Sequence, residues 1–303
     1  MKLSLVIMAA GLGSRYGGNK QVDGIGPHGE ILMEYAIHDA LRAGFGKVVL
    51  IIKPEMREMM ETLLGRLPER TAADGSPVEV HYVYQDFSSI PAFYAIPPER
   101  TRPFGTVHAL LCAEDVVKEP CCVINADDFY GLDAYRAMAR ELRRLPEEGQ
   151  AAMVGYLLKN TASLHGTVTR GICAMENGFL KSVQETAGIQ LYSDGSLRDL
   201  KRDRPLDSEA LVSMNFWGFM PSIFPVLRTY FEAFLRQAGD DVRAECLLPI
   251  MVDQYLQEGK LRVSVLSSAG RWFGMTHRED RDTVARELQR LHDQGEYPES
   301  LRD

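Results

Sequence analysis

Hydrophobic and polar positions alternate in blocks along the first half of the chain. Residues 3–8 are apolar but for Ser4, the length and character of a strand buried on both faces. Residues 30–43 change to helical spacing, with Ile31, Tyr35, His38 and Leu41, or Leu32, Ala36 and Ala40, along a face and Gly44 as the stop. Residues 47–53 form a second apolar run, Pro54 opens a helix that reaches about Leu67, and residues 78–84 alternate as a third strand. Residues 120–126 read as another buried strand, 131–145 as a helix and 151–158 as a strand. Strand, helix and strand joined by short connections predict right-handed βαβ units and a mostly parallel sheet.

Two stretches break this rhythm. Residues 86–103 hold Pro91, Pro97, Pro98 and Pro103 with Phe87, Phe93 and Tyr94, the composition of a binding loop or lid rather than a tether. Residues 105–118 then look helical. Beyond 158 the pattern turns to hairpins: residues 167–175 and 179–186 flank Glu176-Asn177-Gly178, a hairpin signal, and Asp194-Gly195 marks a second turn. Residues 198–209 read as a charged, exposed loop, 211–220 as a strand, 221–237 as a helix, 261–267 as a strand and 279–292 as a terminal helix.

Composition narrows the functional classes. At 303 residues the chain can bury a substantial core, and its formal charge of −8, with no Lys/Arg block, argues against nucleic acid as a partner. No apolar stretch is long enough to span a bilayer, and the opening residues form a strand rather than a signal peptide. Five cysteines without a C-x-x-C spacing read as reduced thiols of a cytoplasmic protein, and zinc is not expected.

The candidate chemistry starts where the first strand ends. Gly11, Gly13, Gly17 and Gly18 follow it, with Ser14 among them and Arg15 and Lys20 as fixed cations. Glycines let the backbone turn sharply, and loop amides can point at an anion beside the two cations. Strand, glycine loop and cations make the sequence form of a phosphate cradle. The dinucleotide pattern G-x-G-x-x-G fits Gly11 and Gly13 but meets Tyr16 at the third glycine. A P-loop fits Gly13 and Gly18, but Asn19 intervenes before Lys20 and Gln21 offers no hydroxyl to magnesium. A second candidate is Asp127-Asp128, at the carboxyl end of a buried strand, where α/β sheets bind ligands. A single hard carboxylate there, completed by phosphate oxygens, is how proteins usually hold Mg²⁺, while Asp128 also reads as a helix cap.

Ala9-Ala10-Gly11-x-Gly13-x-Arg15, followed by Lys20, resembles the signature of the sugar-phosphate nucleotidylyltransferases, or NDP-sugar pyrophosphorylases, in a form with a shorter insert and no proline before the lysine. The resemblance implies a GT-A-like fold: three α/β/α layers around a mostly parallel, Rossmann-like sheet, with a β-rich acceptor-side lobe. It implies one domain over 1–303, with a nucleotide-binding half at 1–150, an acceptor-binding half at 151–275 and a C-terminal helix at 276–303. The expected reaction joins an NTP to a phosphorylated small molecule, a sugar 1-phosphate or a phosphocholine-like acceptor, and releases pyrophosphate.

Arg15, Lys20 and Asp127 would be catalytic, with Asp127 carrying Mg²⁺ as in the family's Gly/Ala-Asp-Asp segment. Ala10, Gly11, Gly13, Ser14, Gln85, Gly105 and Thr106 would bind nucleotide, the last two from Pro103-Phe104-Gly105-Thr106. Gln85 offers a donor and an acceptor to a base edge, and Thr106 equally suits a plain helix cap. On the acceptor side, Gly166, Arg170, Glu185 and Asn215 match the segments that touch sugar in relatives. Thr186 replaces a sugar-phosphate lysine, for which Arg170 could substitute, and Asn215 equally suits a buried strand bonded to backbone. Gly274 stands where relatives place a second metal-binding Asp or Asn, with Asp280 as a replacement or a helix-start carboxylate, and Glu245 reads as a solvated helix residue. A homo-oligomer is compatible with all of this. The alternative is a protein of the same fold that binds nucleotide or sugar nucleotide as a regulator, motivated by Thr186 and Gly274.

Overall fold

The first apolar run folds as strand β1, Ser4–Met8, and lies between two parallel neighbours, β2 (Lys47–Ile52) and β4 (Cys121–Asn125). The computed structural model of the chain describes residues 1–11, 24–268, 271–274 and 278–302. In chain order the other elements are α1 (Leu32–Ala43), α2 (Arg57–Leu64), β3 (Glu79–Tyr84), α3 (Thr106–Leu111), β5 (Asp128–Phe129) and α4 (Leu132–Leu142). There follow β6 (Gln150–Leu157), β7 (Val168–Glu176), β8 (Phe179–Leu191), β9 (Leu197–Asp199), β10 (Arg204–Leu206) and β11 (Leu211–Phe219). The chain continues with α5 (Ile223–Ala238), α6 (Leu248–Gln257), β12 (Arg262–Ser267), β13 (Phe273–Gly274) and α7 (Arg281–Asp293).

The fold is mixed α/β around one 11-stranded sheet in the order β10-β9-β8-β12-β6-β11-β4-β1-β2-β3, with β7 beside β11 and β8. Its parallel part is β3-β2-β1-β4, built by the expected strand–helix alternation. Beyond β4 the sheet becomes mixed: β11 runs antiparallel to both β4 and β6. Along β1, Leu5 and Ile7 enter an apolar cluster with Met33 of α1 and Tyr135 of α4, whereas Val6 enters another with Leu110 of α3, Leu227 of α5 and Met251 of α6. This period-two division covers both faces of the central strands with helices. A third cluster packs Val284, Leu288 and Leu291 of α7 against Ile25, Leu32 and Phe129.

Several expected elements are redrawn by packing. The helix expected over 105–118 stops at Leu111, after which Ala113, Glu114 and Val116 bond three residues back and tuck Val117 into the core. The charged stretch 198–209 contains the hairpin β9–β10, organised on Asp199, which is fully buried and accepts the backbone N–H groups of Lys201 and Arg202 at 3.1 Å each. The Asn177-Gly178 turn is as expected, with both residues at positive φ (52° and 81°). In the proline-rich stretch, Phe87, Ile90 and Tyr94 pack against the second cluster. Arg100 lies over the Phe104 ring at 3.5 Å and donates to the carbonyls of Arg102, Pro103, Asp241 and Ala244. That stretch is therefore a packed rim.

Asp39 of α1 is buried, with Oδ2 accepting the Tyr297 hydroxyl at 2.7 Å and Oδ1 without a hydrogen-bond partner. Burial pushes its pKa up to about 7, against the pull of the Tyr297 bond. Between the ordinary carboxylate range and about 7 the folded chain holds a proton that the unfolded chain has lost, so this group makes stability fall as pH rises through that window. Asp39→Asn is expected to flatten the fall and to gain on the order of 2 kcal/mol at pH 8 relative to pH 5, measured by denaturant melts at the two pH values.

Candidate active site

Strand register sets the floor of a cleft. Met8 of β1 lies opposite Ile51 of β2 and Asn125 of β4, and Ile51 lies opposite Val83 of β3. Two residues beyond that row come Ala10, Lys53, Gln85 and Asp127, all at the carboxyl edge of the parallel strands. All four line one cleft of about 760 Å³, together with Gly11, Gly105, Thr106, Asn125 and Asn215. The rim is made by Thr101, Arg102 and Pro103 from the proline-rich stretch and by Glu245 and Leu247 ahead of α6. The carboxyl ends of parallel strands are where open α/β sheets take ligands.

The two aspartates have separate duties. Asp127 faces the cleft, half-buried, in the turn between β4 and β5. Asp128 is buried and accepts Asn125 Nδ2 at 2.8 Å and the Tyr130 hydroxyl at 3.1 Å. Burial, then the charge of Asp127, pushes the Asp128 carboxyl up, partly offset by the Asn125 bond, Arg170 and Tyr130. The polar chain continues outward: Asn215 Nδ2 donates to Asn125 Oδ1 at 3.4 Å, and Trp217 Nε1 donates to Asn215 Oδ1 at 3.1 Å. Asn215 is thus bonded through side chains, on a cleft wall, rather than to backbone. It has φ +60°, inside a strand whose pairing with β6 shifts between Ser213 and Trp217.

Gln85 donates Nε2 to the Gly105 carbonyl at 3.0 Å, which leaves Oε1 as its free acceptor. Gly105 caps α3 with φ +89° and ψ −163°, a region essentially restricted to glycine, and an added Cβ would sit 2.8 Å from the Cys246 carbonyl. The Thr106 hydroxyl does not cap its own helix; it accepts the Leu248 N–H at 2.8 Å and so holds the start of α6. Next to it, buried His108 accepts the Phe104 N–H at Nδ1 (3.3 Å), and burial lowers its pKa to about 4, which keeps it neutral for that role.

The acceptor-side expectations are not gathered in this cleft, apart from Asn215. Gly166 precedes β7, and Arg170 and Glu185 lie on the paired strands β7 and β8. Arg170 is buried and donates to the Thr161 carbonyl (3.0 and 2.5 Å) and the Thr169 carbonyl (2.8 Å), with its guanidinium 5.1 Å from the Trp272 ring centre. Glu185 is raised by burial, against the attraction of Arg170. Thr186 is fully buried, which leaves no room for a solvent-facing lysine. Gly274 pairs with Asp128 in the β5–β13 ribbon, where a Cβ would come 2.5 Å from Asp128 Oδ1. Asp280 accepts the Ser163 hydroxyl at 2.8 Å at the start of α7. Gly13, Ser14, Arg15 and Lys20 lie outside the described residues.

Three cleft residues escape a reading by motif. Lys53 and Arg102 bring cations to the cleft, and neither side chain makes a hydrogen bond or ion pair among the described residues. The signal for Lys53 is a charge at the very end of an apolar run. Glu245 is exposed in the connection before α6 rather than on a helix, on the same rim. Among the described residues no group of three His, Cys, Asp or Glu gathers as a metal cluster. Asp127, on the floor of an open cleft of about 760 Å³, fits a cation that draws its other oxygens from substrate and water, as Mg²⁺ does.

The cleft thus gathers Asp127, Gln85, Lys53 and the backbone of Ala10 and Gly11 at the ends of the parallel strands, with Arg102 and Glu245 on its rim, in a mixed α/β fold. The chain belongs to the nucleotidyl transferase family, whose sequence profile matches residues 5–185. Solved structures share the fold at low identity. A putative glucose-1-phosphate thymidylyltransferase from Bacillus anthracis matches with a TM-score of 0.61 and 16% identity, over 95% of each chain. The inositol-1-phosphate CTP transferase from T. maritima gives 0.61 and 12%, over 96% of each chain. A UDP-glucose pyrophosphorylase, complexed with UDP-glucose, gives 0.60 and 16%, over 96% of this chain and 99% of that one. No curated protein sequence matches the chain. No helix among the described residues is long and apolar enough to cross a membrane.

The strained backbone predicts a substitution pattern. Gly105→Ala is expected to lose about 2 kcal/mol or more; Asn215→Gly relieves the backbone but strips the buried Trp217 indole of its acceptor and loses about 1–2 kcal/mol, and Asn215→Val, which also adds strain, loses more, all read from chemical denaturation.

Proposed function

We propose that the protein condenses an NTP with a phosphorylated small molecule, a sugar 1-phosphate, to an NDP-linked product and pyrophosphate, with Mg²⁺ as cofactor. The reading is carried by the level row of Ala10, Lys53, Gln85 and Asp127 in one cleft. In such a reaction an acceptor phosphate oxygen attacks the α-phosphorus in line. That oxygen is already anionic, so the site needs to position and neutralise rather than to abstract a proton.

Asp127 is the group that would hold the metal, and a magnesium ion bound there would supply Lewis acidity and a template for the phosphates. Ala10 and Gly11 lead into Gly13, Ser14, Arg15 and Lys20, which would cradle the triphosphate, with Lys20 beside the α-phosphate. Gln85 would meet the base with Oε1, its amide nitrogen being committed to Gly105. Gly105 and Thr106 would border the nucleotide. Asn215 would reach the acceptor directly, with Gly166, Arg170 and Glu185 shaping its surroundings. The five free thiols suit a cytoplasmic setting.

The test is pyrophosphate release from a panel of NTPs, each offered with sugar 1-phosphates and with phosphocholine. At least one pair is expected to turn over in a magnesium-dependent way, with Asp127→Asn slowing it by roughly a hundredfold or more. Silence across all pairs, or full activity in Lys20→Ala, would sink the mechanism. Lys53→Ala is expected to raise KM for the NTP several-fold with kcat nearly kept, since it removes charge that binds ground and transition states alike.

A further inference from the structure

Two rim charges have no part in the phosphate transfer described above. Arg102 and Glu245 both line the cleft and both are exposed, and neither side chain has a hydrogen-bond or ion-pair partner among the described residues. They are distant in sequence but stand on one hydrogen-bonded ribbon. Cys246 N–H donates to the Phe104 carbonyl at 2.7 Å, Val107 N–H to the Cys246 carbonyl at 3.0 Å, and Leu248 N–H to the Thr106 hydroxyl at 2.8 Å. Buried Arg100 joins the same two segments, donating to the Arg102 carbonyl at 2.9 Å and the Ala244 carbonyl at 2.8 Å.

Gln85 belongs to the same corner. Its Nε2 donates to the Gly105 carbonyl at 3.0 Å, and a Cβ on Gly105 would lie 3.1 Å from the nitrogen of Cys246, the residue after Glu245. The corner therefore offers a guanidinium, a carboxylate and the one free oxygen of a carboxamide. It is also remote from Asp127: β1 and β2 lie between β3, which leads to Gln85, and β4, which leads to Asp127. Three strand spacings amount to about 14 Å. A nucleotide with its phosphates near Asp127 would lay its base toward Gln85 and Glu245. A carboxylate there accepts only, so it asks for N–H or O–H donors.

Guanine supplies the matching set. Its N1–H and N2 amine stand side by side, so a carboxylate can accept from both, and the second N2 hydrogen remains for Gln85 Oε1. Beside them O6 and N7 are acceptors, the pair to which an arginine donates with two N–H groups. On adenine, cytosine and uracil an unshared pair stands next to the donor on that edge, and the Glu245 carboxylate would face it.

We propose that Glu245, with Arg102, determines base specificity by selecting guanine, so that the triphosphate taken by the cleft is GTP. The inference rests on the reading that the cleft binds an NTP, though not on transfer. Equilibrium dialysis of the whole chain, with Mg²⁺, measures the parent, Glu245→Gln and Arg102→Ala against GTP, ATP, CTP and UTP. Inosine triphosphate, which lacks the 2-amine, and xanthosine triphosphate, which has a carbonyl there, complete the panel. The parent is expected to bind GTP roughly tenfold or more tightly than ATP, CTP or UTP, with inosine triphosphate between. Glu245→Gln loses roughly tenfold for GTP and gains roughly tenfold for xanthosine triphosphate, whose 2-carbonyl accepts from the new amide. That gain is a readout that loss of stability cannot produce. Arg102→Ala weakens GTP and inosine triphosphate together, since both keep O6 and N7. A parent indifferent to the base, as a carboxylate on the ribose hydroxyls would make it, overturns the inference. So does preference for another base, or unchanged affinities in Glu245→Gln. A parent that prefers GTP but transfers it to no acceptor overturns the proposed reaction and upholds the base assignment. A parent that binds no triphosphate overturns both.

Discussion

The site depends on one constraint, the parallel register of β1 with its neighbours. Because Met8 stands level with Ile51 and Asn125, and Ile51 with Val83, the chain leaves four strands at the same height. Each departing segment then delivers one group to a shared surface: a loop backbone, an ammonium, a carboxamide and a carboxylate. A slip of one residue in any of these strands would turn its apolar residues to the wrong face and carry its functional group out of the row. The buried packing of β1 on both faces thus holds the chemistry in line as well as the core.

The far wall of the cleft is held by different means. Where the sheet changes from parallel to antiparallel at β4 and β11, the pairing of β11 with β6 shifts and Asn215 takes a left-handed conformation. Its side chain joins Trp217, Asn125 and Asp128 into one hydrogen-bonded series under Asp127. Backbone strain there is offset by a polar network that would be left incomplete if the strand ran straight. Arg100 and the Thr106 hydroxyl do similar service at the rim, the first joining the proline-rich stretch to the connection before α6 and the second joining α6 to the start of α3.

What the sequence made legible follows from how local each signal is. A buried strand ending in glycines, a buried strand ending in Asp127 and an Asn-Gly turn each carry their meaning within a few residues, and each appears where the pattern placed it. Residues whose roles depend on pairing across the chain were hidden. Lys53 ends an ordinary strand, and only the register reveals that it stands beside Ala10 and Gln85. Arg170 illustrates the opposite case: a guanidinium near a family-like strand suggests phosphate, but it is buried against backbone carbonyls and an indole face, which no local pattern encodes. The β5–β13 ribbon and the hairpin at Asp199 are too short to leave a periodic trace.

The glycine at 274 also bears on how this arrangement can change over evolutionary time. Its missing side chain is occupied space: the carboxylate of Asp128 and the ring of Trp272 fill the volume a Cβ would need, at 2.5 and 2.9 Å. A carboxylate cannot be installed at that position alone, because it would meet a buried acid already held by Asn125 and Tyr130. The two positions are therefore epistatic. A lineage that brings any side chain to residue 274 must alter residue 128 before, or together with, it.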